Sequence, residues 1–323
     1  AMRAVRATSD GVAVVDVPSP QAAGITDPVT VRPVSVGICG SDLHVIGMGP
    51  SGVTLGHEIS AIHEGRPVAI QPMAFCGKCS ACQRGDQHMC SVGGRRVHGI
   101  HIDGGMADEL VVDAQCLVAL PEGVSAEAAS LVEPIAVGVH AVNKVDPVAG
   151  MRIAVIGAGT VGLVVAAVAQ DRGVDQIDIV ARHEAQFEAA ERLGLRPVRA
   201  DELGSGYDIV IDAAGSESSL AAAIGAVRSA GTVLVPGIYW SDVNLPGLAL
   251  GLKEVQLRTA LYWGHHDGRR ETDIAAEVLG RLPGLPDALI SHRFELGDAA
   301  RAFTTAADRS AGAVKVIVDV STG

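Results

Sequence analysis

Six cysteines stand in this chain, and the spacing of four of them offers the first chemistry. Cys76-Gly-Lys-Cys79-Ser-Ala-Cys82, followed by Cys90, reads C-x2-C-x2-C-x7-C. Four thiolates so close in sequence can close a tetrahedral structural zinc site with no ligand from elsewhere. A redox pair or disulfides form the competing reading, and a nucleic-acid zinc module a second. Charges around the lobe are mixed (Lys78, Arg84, Asp86, His88, Arg95, Arg96), and the chain as a whole is acidic, which disfavours nucleic acid. Upstream, Val36-Gly-Ile-Cys-Gly-Ser-Asp-Leu-His44 sets a thiol, a hydroxyl, a carboxylate and an imidazole on what reads as a glycine-bounded loop. Gly56-His57-Glu58, read as a second loop, adds two metal-competent groups. Taken singly, Cys39 reads equally well as a small buried residue and His57 as a hydrogen-bonded loop histidine.

A third stretch suits a dinucleotide. Ile153-Ala-Val-Ile-Gly-Ala-Gly-Thr-Val-Gly162 joins a β-branched run to glycines spaced G-x-G-x-x-G, and the apolar Leu163–Ala169 follows in helical style. Gly157 permits the tight turn, Gly159 lets backbone N–H groups approach a pyrophosphate, and Gly162 lets the helix pack on its strand. The helix start, at Thr160 and Val161, supplies unpaired donors and partial positive charge for phosphates. In a chain with 39 glycines the spacing alone is weak; the strand–turn–helix setting makes it informative.

These residues need elements to hold them. A chain of 323 residues suggests two domains, and 48% hydrophobic with 19% charged residues suits a globular protein. The net charge of −12 argues against nucleic acid or an anionic membrane as partner. No apolar run approaches the ~20 residues that span a bilayer. The start shows no signal-peptide core, so a reducing, cytoplasmic setting is expected, in which cysteines serve as ligands or free thiols. Residues 2–36 alternate apolar and polar between Pro18, Pro20, Gly24 and Pro28, predicting a β-rich entry. From about residue 134, strands and helices alternate: Ile153–Ile156, Val161–Ala169, Ile177–Val180, Glu184–Leu193, Tyr207–Asp212, Ser218–Val227, Thr232–Pro236 and Leu257–Tyr262. That order predicts a parallel, doubly wound sheet with Asp212-Ala-Ala-Gly215 and Val235-Pro-Gly237 at carboxyl ends of strands. Cys116, in the strand-like Ala114–Leu120, reads as core filling.

Cys39 with Gly56-His57-Glu58, the four-cysteine lobe and the later glycine fingerprint, in this order, resemble the zinc-dependent medium-chain alcohol dehydrogenases over nearly the whole chain. The resemblance implies an α/β fold: a GroES-like, β-rich catalytic domain at 1–133 and 265–323, with an inserted Rossmann domain at 134–264. It implies two zinc ions per chain. Cys76, Cys79, Cys82 and Cys90 would hold the structural ion, and Cys39 and His57 would hold the catalytic one with a carboxylate. Two glutamates compete for that place. Glu58 follows His57 directly. Glu133 lies in Leu131-Val-Glu-Pro-Ile-Ala-Val-Gly-Val-His140, which resembles the Glu-Pro segment of the sorbitol, threonine and butanediol dehydrogenase branch. Read from the residues alone, Glu133 is also a carboxylate placed well for a helix N-terminus. By the same resemblance Ser41 touches the substrate oxygen, Asp42 orients His57, and His44 ends a proton relay.

Ala213 and Gly237 would approach the nicotinamide half of the cofactor. The residue nineteen positions past Gly162, where an NAD enzyme of this family carries an acid for the ribose, is Ala181, followed by Arg182. Loss of the carboxylate and gain of a guanidinium point to NADP(H). Asp178 is the competing ribose acid, but it lies inside the strand rather than at its end. The expected activity is hydride transfer between a secondary alcohol or polyol and NADP(H), by a homodimer or homotetramer. A non-catalytic zinc and nucleotide sensor, or a quinone or enoyl reductase of the same superfamily, is the alternative.

Overall fold

The computed structural model of the protein describes residues 1–93 and 96–321, which leaves Arg95 outside the described residues. The chain forms two compact units: Ala1–Glu133 with Asp267–Gly323, and Pro134–His266.

In the first unit, β1 (Met2–Thr8) and β2 (Gly11–Val17) make an antiparallel hairpin. The long β3 (Pro28–Ile38) then serves two pairings. Its outer half, Pro28 to Val31, pairs with β6 (Leu110–Asp113), and its inner half pairs with β4 (Glu58–His63). β5 (Arg66–Ile70) and β7 (Leu117–Ala119) extend the sheet beyond β4, and the closing strand Lys315–Asp319 pairs antiparallel with β3 on the other side. Val36, Ile38, Ile59, Leu110, Val112, Val316 and Val318 are buried together in its core, as alternation predicts. Cys116 is fully buried in that cluster. The expectation of a continuous strand over Ala114–Leu120 needs correction, because Ala114–Cys116 is one 3-10 turn. The Asp113 carboxylate accepts the Gln115 N–H at 3.2 Å and closes the turn before β7 begins. Two short helices, α1 (Gly40–Gly47) and α2 (Ser80–Gln83), complete the parts that matter for the site.

The second unit is a six-stranded sheet. Its strands are β8 (Arg152–Ile156), β9 (Gln176–Val180), β10 (Arg196–Val198), β11 (Tyr207–Asp212), β12 (Val227–Pro236) and β13 (Gln256–Ala260). They run parallel in the order β10-β9-β8-β11-β12-β13, so the winding reverses between β8 and β11. This is the doubly wound arrangement of a Rossmann sheet. The helices α3 (Val132–Val145), α4 (Thr160–Asp171), α5 (Glu184–Arg192) and α6 (Glu217–Ala226) alternate with the strands, and α7 (Gly247–Leu252) precedes β13. Residues Gly162 to Ala169 of α4 are buried on every side, which accounts for their unbroken apolar run. At the far edge, four of the five residues of β13 are exposed.

Candidate active site

The predicted loop around Cys39 is in fact a helix. Cys39 is the N-cap of α1, and its N–H donates to the Asp42 carboxylate at 2.8 Å, a reciprocal cap in which aspartate stands three residues in. Ser41, Asp42 and His44 therefore sit within the first five residues of one helix: Asp42 is buried and His44 exposed. The second predicted loop is also shorter than expected, since β4 begins at Glu58. Antiparallel pairing of Gly37 with Glu58 carries the end of β3 alongside the start of β4. As a result donor atoms of Cys39, His57 and Glu58 lie within 4.8 Å of one another. Nδ1 of His57 is 3.2 Å from Oδ1 of Asp42, and its Nε2 is 3.5 Å from Oγ of Ser41. Burial disfavours a charged imidazole here, but Asp42 and Cys39 together outweigh it and raise the His57 pKa well above its ordinary value.

Glu133 is buried in the first turn of α3 and stands outside that 4.8 Å group. Glu58 has an occupant that the motifs did not announce. Nζ of Lys315, the first residue of the closing strand, donates to both Glu58 carboxylate oxygens at 2.7 Å and to the Ile38 carbonyl at 3.0 Å. Both side chains are almost wholly enclosed. Burial works against the ammonium, yet Glu58, with Cys39 and Glu133 beyond it, holds the Lys315 pKa above its usual value.

The four-cysteine lobe is built differently. The sulfur atoms of Cys76, Cys79, Cys82 and Cys90 lie within 4.8 Å of one another and form no disulfide. Backbone N–H groups point at the sulfurs: those of Cys76 and Gly93 at Cys90 Sγ (3.3 and 3.2 Å), that of Cys79 at Cys76 Sγ (3.3 Å). Such donors favour thiolate over thiol. Backbone N–H groups of Cys82 and Ser91 bring the Cys79 pKa down to about 5, whereas burial pushes Cys82 up to about 12.

The cofactor candidates gather at the carboxyl edge of the parallel sheet. Four residues each continue the ladder one step past a strand end. The N–H of Gly157 donates to Val180 O at 3.2 Å, Ala181 to Val198 O at 3.0 Å, Ala213 to Ile156 O at 3.0 Å and Gly237 to Ala260 O at 2.9 Å. Gly157 has φ +105°, which other residues resist. A Cβ on Gly162 would meet Gly157 O at 1.8 Å, while one on Gly159 would meet nothing. Gly162 thus serves packing, and the open space over Gly159, the N-cap ahead of Thr160 and Val161, is what a pyrophosphate would need. Arg182 is exposed at the same edge, and its guanidinium makes no hydrogen bond or ion pair with the described residues. Asp178, by contrast, is already engaged: Arg196 grips its carboxylate at 2.6 and 2.9 Å and the Tyr207 hydroxyl donates at 2.5 Å. It lines a cavity of about 310 Å³ at the amino ends of the strands, away from the glycines.

Comparison with known proteins agrees with this geometry. Residues 26–122 match the alcohol dehydrogenase GroES-like domain, and residues 126–320 match the glucose dehydrogenase C-terminus. The chain belongs to the zinc-dependent medium-chain dehydrogenase/reductase family. It is 31% identical to L-arabinitol 4-dehydrogenase from Aureobasidium melanogenum, over 89% of this chain and 86% of the relative. To sorbitol dehydrogenase from Bombyx mori it is 29% identical, over 91% and 92%. Among solved structures, a chain from Sinorhizobium meliloti 1021 described as a zinc-binding dehydrogenase and bound to NADP superposes with a TM-score of 0.86. That pair is 26% identical over 99% of both chains.

Within this family frame, three residues join the site that motif reading did not single out. Lys315 is the first. Arg199 is the second: it follows β10 directly, one residue past the Val198 that pairs with Ala181, and its guanidinium lies 5.1 Å over the Phe187 ring of α5. Tyr239 is the third. Its hydroxyl donates to Asp212 at 2.5 Å while the other Asp212 oxygen accepts the N–H groups of Ala214 and Gly215, so the turns after β11 and β12 are tied together.

Proposed function

We propose that this chain is an NADP(H)-linked, zinc-dependent alcohol dehydrogenase and carbonyl reductase whose substrates are secondary alcohols or polyols. The observation that carries the reading is the convergence of Cys39, His57 and Glu58 within 4.8 Å beside a buried Asp42. A thiolate, an imidazole and a carboxylate fit a catalytic zinc with an open position, and four mutually close thiols with N–H donors fit a structural one. When bound, zinc would polarise the substrate oxygen and lower its pKa, and NADP(H) would carry the hydride.

The chain's own groups do the rest. Cys39 and His57 would hold the zinc, with Glu58 or Glu133 as the carboxylate. Asp42 lies against Nδ1 of His57 and so leaves Nε2 as the ligating nitrogen. Oγ of Ser41, close to that Nε2, takes the proton of the substrate hydroxyl, and the exposed His44 is the outer end of its path. Gly157, Gly159, Thr160, Val161 and Gly162 cradle the pyrophosphate, while Ala213 and Gly237 border the nicotinamide half. Ala181 presents no charge to repel a 2′-phosphate; Arg182 follows it directly, and Arg199 follows the Val198 whose carbonyl accepts the Ala181 N–H. The relatives named for arabinitol and sorbitol support a polyol, and the NADP-bound relative supports the cofactor. The exposed β13 edge, with Leu248 and Leu252 of α7 both 77% exposed, supports a homo-oligomer.

The test is turnover of secondary alcohols and polyols with NADP⁺ and with NAD⁺, read from absorbance of the reduced nicotinamide. Absence of turnover across the panel, with zinc and cofactor bound, would mark a sensor rather than an enzyme. The ratio of kcat/KM for the two cofactors should favour NADP⁺ and swing toward NAD⁺ by about 10–100-fold, roughly 1.4–2.8 kcal/mol, in Ala181→Asp with Arg182→Leu. Wild-type preference for NAD⁺ would overturn the cofactor assignment.

A further inference from the structure

Among the described residues of the second unit two carboxylates are buried, Asp178 and Asp212, and they are balanced in different ways. Asp178 has a cation of its own in Arg196. Asp212 has none among the described residues. Its three donors are all neutral: the N–H groups of Ala214 and Gly215 meet one oxygen at 3.1 and 3.2 Å, and the Tyr239 hydroxyl meets the other at 2.5 Å. Burial and the Asp212 charge raise the Tyr239 pKa, so this donor keeps its proton. The hydrogen bonds satisfy the oxygens. The negative charge itself stays without a counter-ion at 1% exposure, which costs folding free energy.

Asp212 ends β11 at the carboxyl edge of the sheet, and the turn it holds lies against the glycine turn: a Cβ on Gly157 would stand 3.0 Å from the Ala214 nitrogen. Its other oxygen is turned to the residues that follow β12, beside Gly237 in sequence. Strand order puts Arg182 and Arg199 on the β9 and β10 side of β8, and Asp212 with Tyr239 on the β11 and β12 side. Cations thus border the half of the edge read as the 2′-phosphate side, and a buried anion borders the other half. A nicotinamide ring is a cation when oxidised and neutral when reduced, so a fixed anion beside it separates the two forms by charge alone. We propose that Asp212, held in place by Tyr239, is a built-in counter-charge for the oxidised nicotinamide ring, which tightens NADP⁺ relative to NADPH and leans the bound pair toward carbonyl reduction. This rests on the cofactor reading above.

The experiment compares two binding constants rather than rates. Kd for NADP⁺ and for NADPH is measured by calorimetry, without substrate, on the wild type, Asp212→Asn, Tyr239→Phe and Tyr239→Lys. Asparagine keeps an acceptor for Ala214 and Gly215 and can donate to the Tyr239 oxygen, so the turn survives while the charge is lost. Asp212→Asn should weaken NADP⁺ about 10-fold more than NADPH, the scale of one charge acting across a protein interior. That corresponds to a rise of about 30 mV in the potential of the bound two-electron couple. Tyr239→Phe, which loosens the turn and keeps the charge, should change both constants by the same factor. Tyr239→Lys gives Asp212 the kind of partner that Asp178 already has. It should move the ratio in the same direction as Asp212→Asn, and it covers the case in which Asp212→Asn does not fold. Equal effects on NADP⁺ and NADPH in Asp212→Asn, or in Tyr239→Lys should that variant not fold, overturn the assignment and leave the carboxylate as a turn cap. A ratio that moves as far in Tyr239→Phe as in Asp212→Asn overturns it as well. A wild type that binds neither form would instead sink the underlying cofactor reading.

Discussion

Cys76, Cys79, Cys82 and Cys90 come from one short stretch whose own backbone N–H groups point at the sulfurs. Cys39, His57, Glu58 and Lys315 come from a helix cap, the residue before one strand and the first residues of two strands, with Glu58 and Lys315 257 positions apart. The lobe is made by local chain geometry and needs little from the rest of the unit. The other site exists only once distant strands have found their register, and it carries an internal cation that the lobe lacks. On the proposed reading, a set that must never open is supplied by like ligands close together. The unlike groups of the second site are each met by a charged neighbour: Asp42 against His57, Lys315 against Glu58.

The largest expected effect breaks the lobe. A structural zinc is worth about 10–16 kcal/mol of folding free energy, against about 5–15 kcal/mol for a whole domain. Cys79→Ser should therefore abolish the cooperative melt of the first unit in calorimetry and lower zinc content by about one per chain. An unchanged melting profile would show that the lobe is not a metal staple.

Mild chelation sharpens the contrast from the other side. Activity should disappear while about one zinc per chain remains and the melting curve keeps its shape. Loss of both metals at one rate would erase the distinction between the two sets. Glu133→Ala comes next: kcat should fall roughly 100-fold, with the fold and cofactor binding preserved. Wild-type turnover would return Glu133 to a carboxylate that merely suits a helix N-terminus.

Asp42→Asn should have the smallest effect. Asparagine can still accept the Cys39 N–H, so α1 keeps its cap, but the charge beside His57 Nδ1 is gone. About a tenfold loss of metal affinity at the catalytic site, measured by competition with a chelator, is the expected result. Affinity equal to the wild type would mean that Asp42 serves the helix alone.

Legibility followed locality. The lobe and the glycine fingerprint could be read because their residues are neighbours in the chain, and the alternation of strands and helices from 152 to 260 matched the elements closely. Helix α1 was hidden because a cysteine cap answered by aspartate does not look like the usual Ser/Thr-x-x-Glu start. Asp178 reads from position alone as lying inside its strand, and the structure adds its engagement with Arg196 and Tyr207. Lys315 gave one faint sign, a lysine inside the apolar run Val314-Lys-Val-Ile-Val318, but its partner lies in β4 and no short window contains both. Arg199 and Tyr239 were missed for the same reason: strand order, not spacing, brings them to the edge.

The placement of Lys315 also sets an order of events during synthesis. A ribosome adding about 5–20 residues per second makes the four cysteines within a few seconds of one another, so their thiols can come together early. Lys315 follows Glu58 by 257 residues, roughly 13–50 s later at that pace. Throughout that interval the nascent chain carries Cys39, His57 and Glu58 without the cation that restrains them. The last strand to emerge is thus the one that gives the buried Glu58 carboxylate its counter-ion.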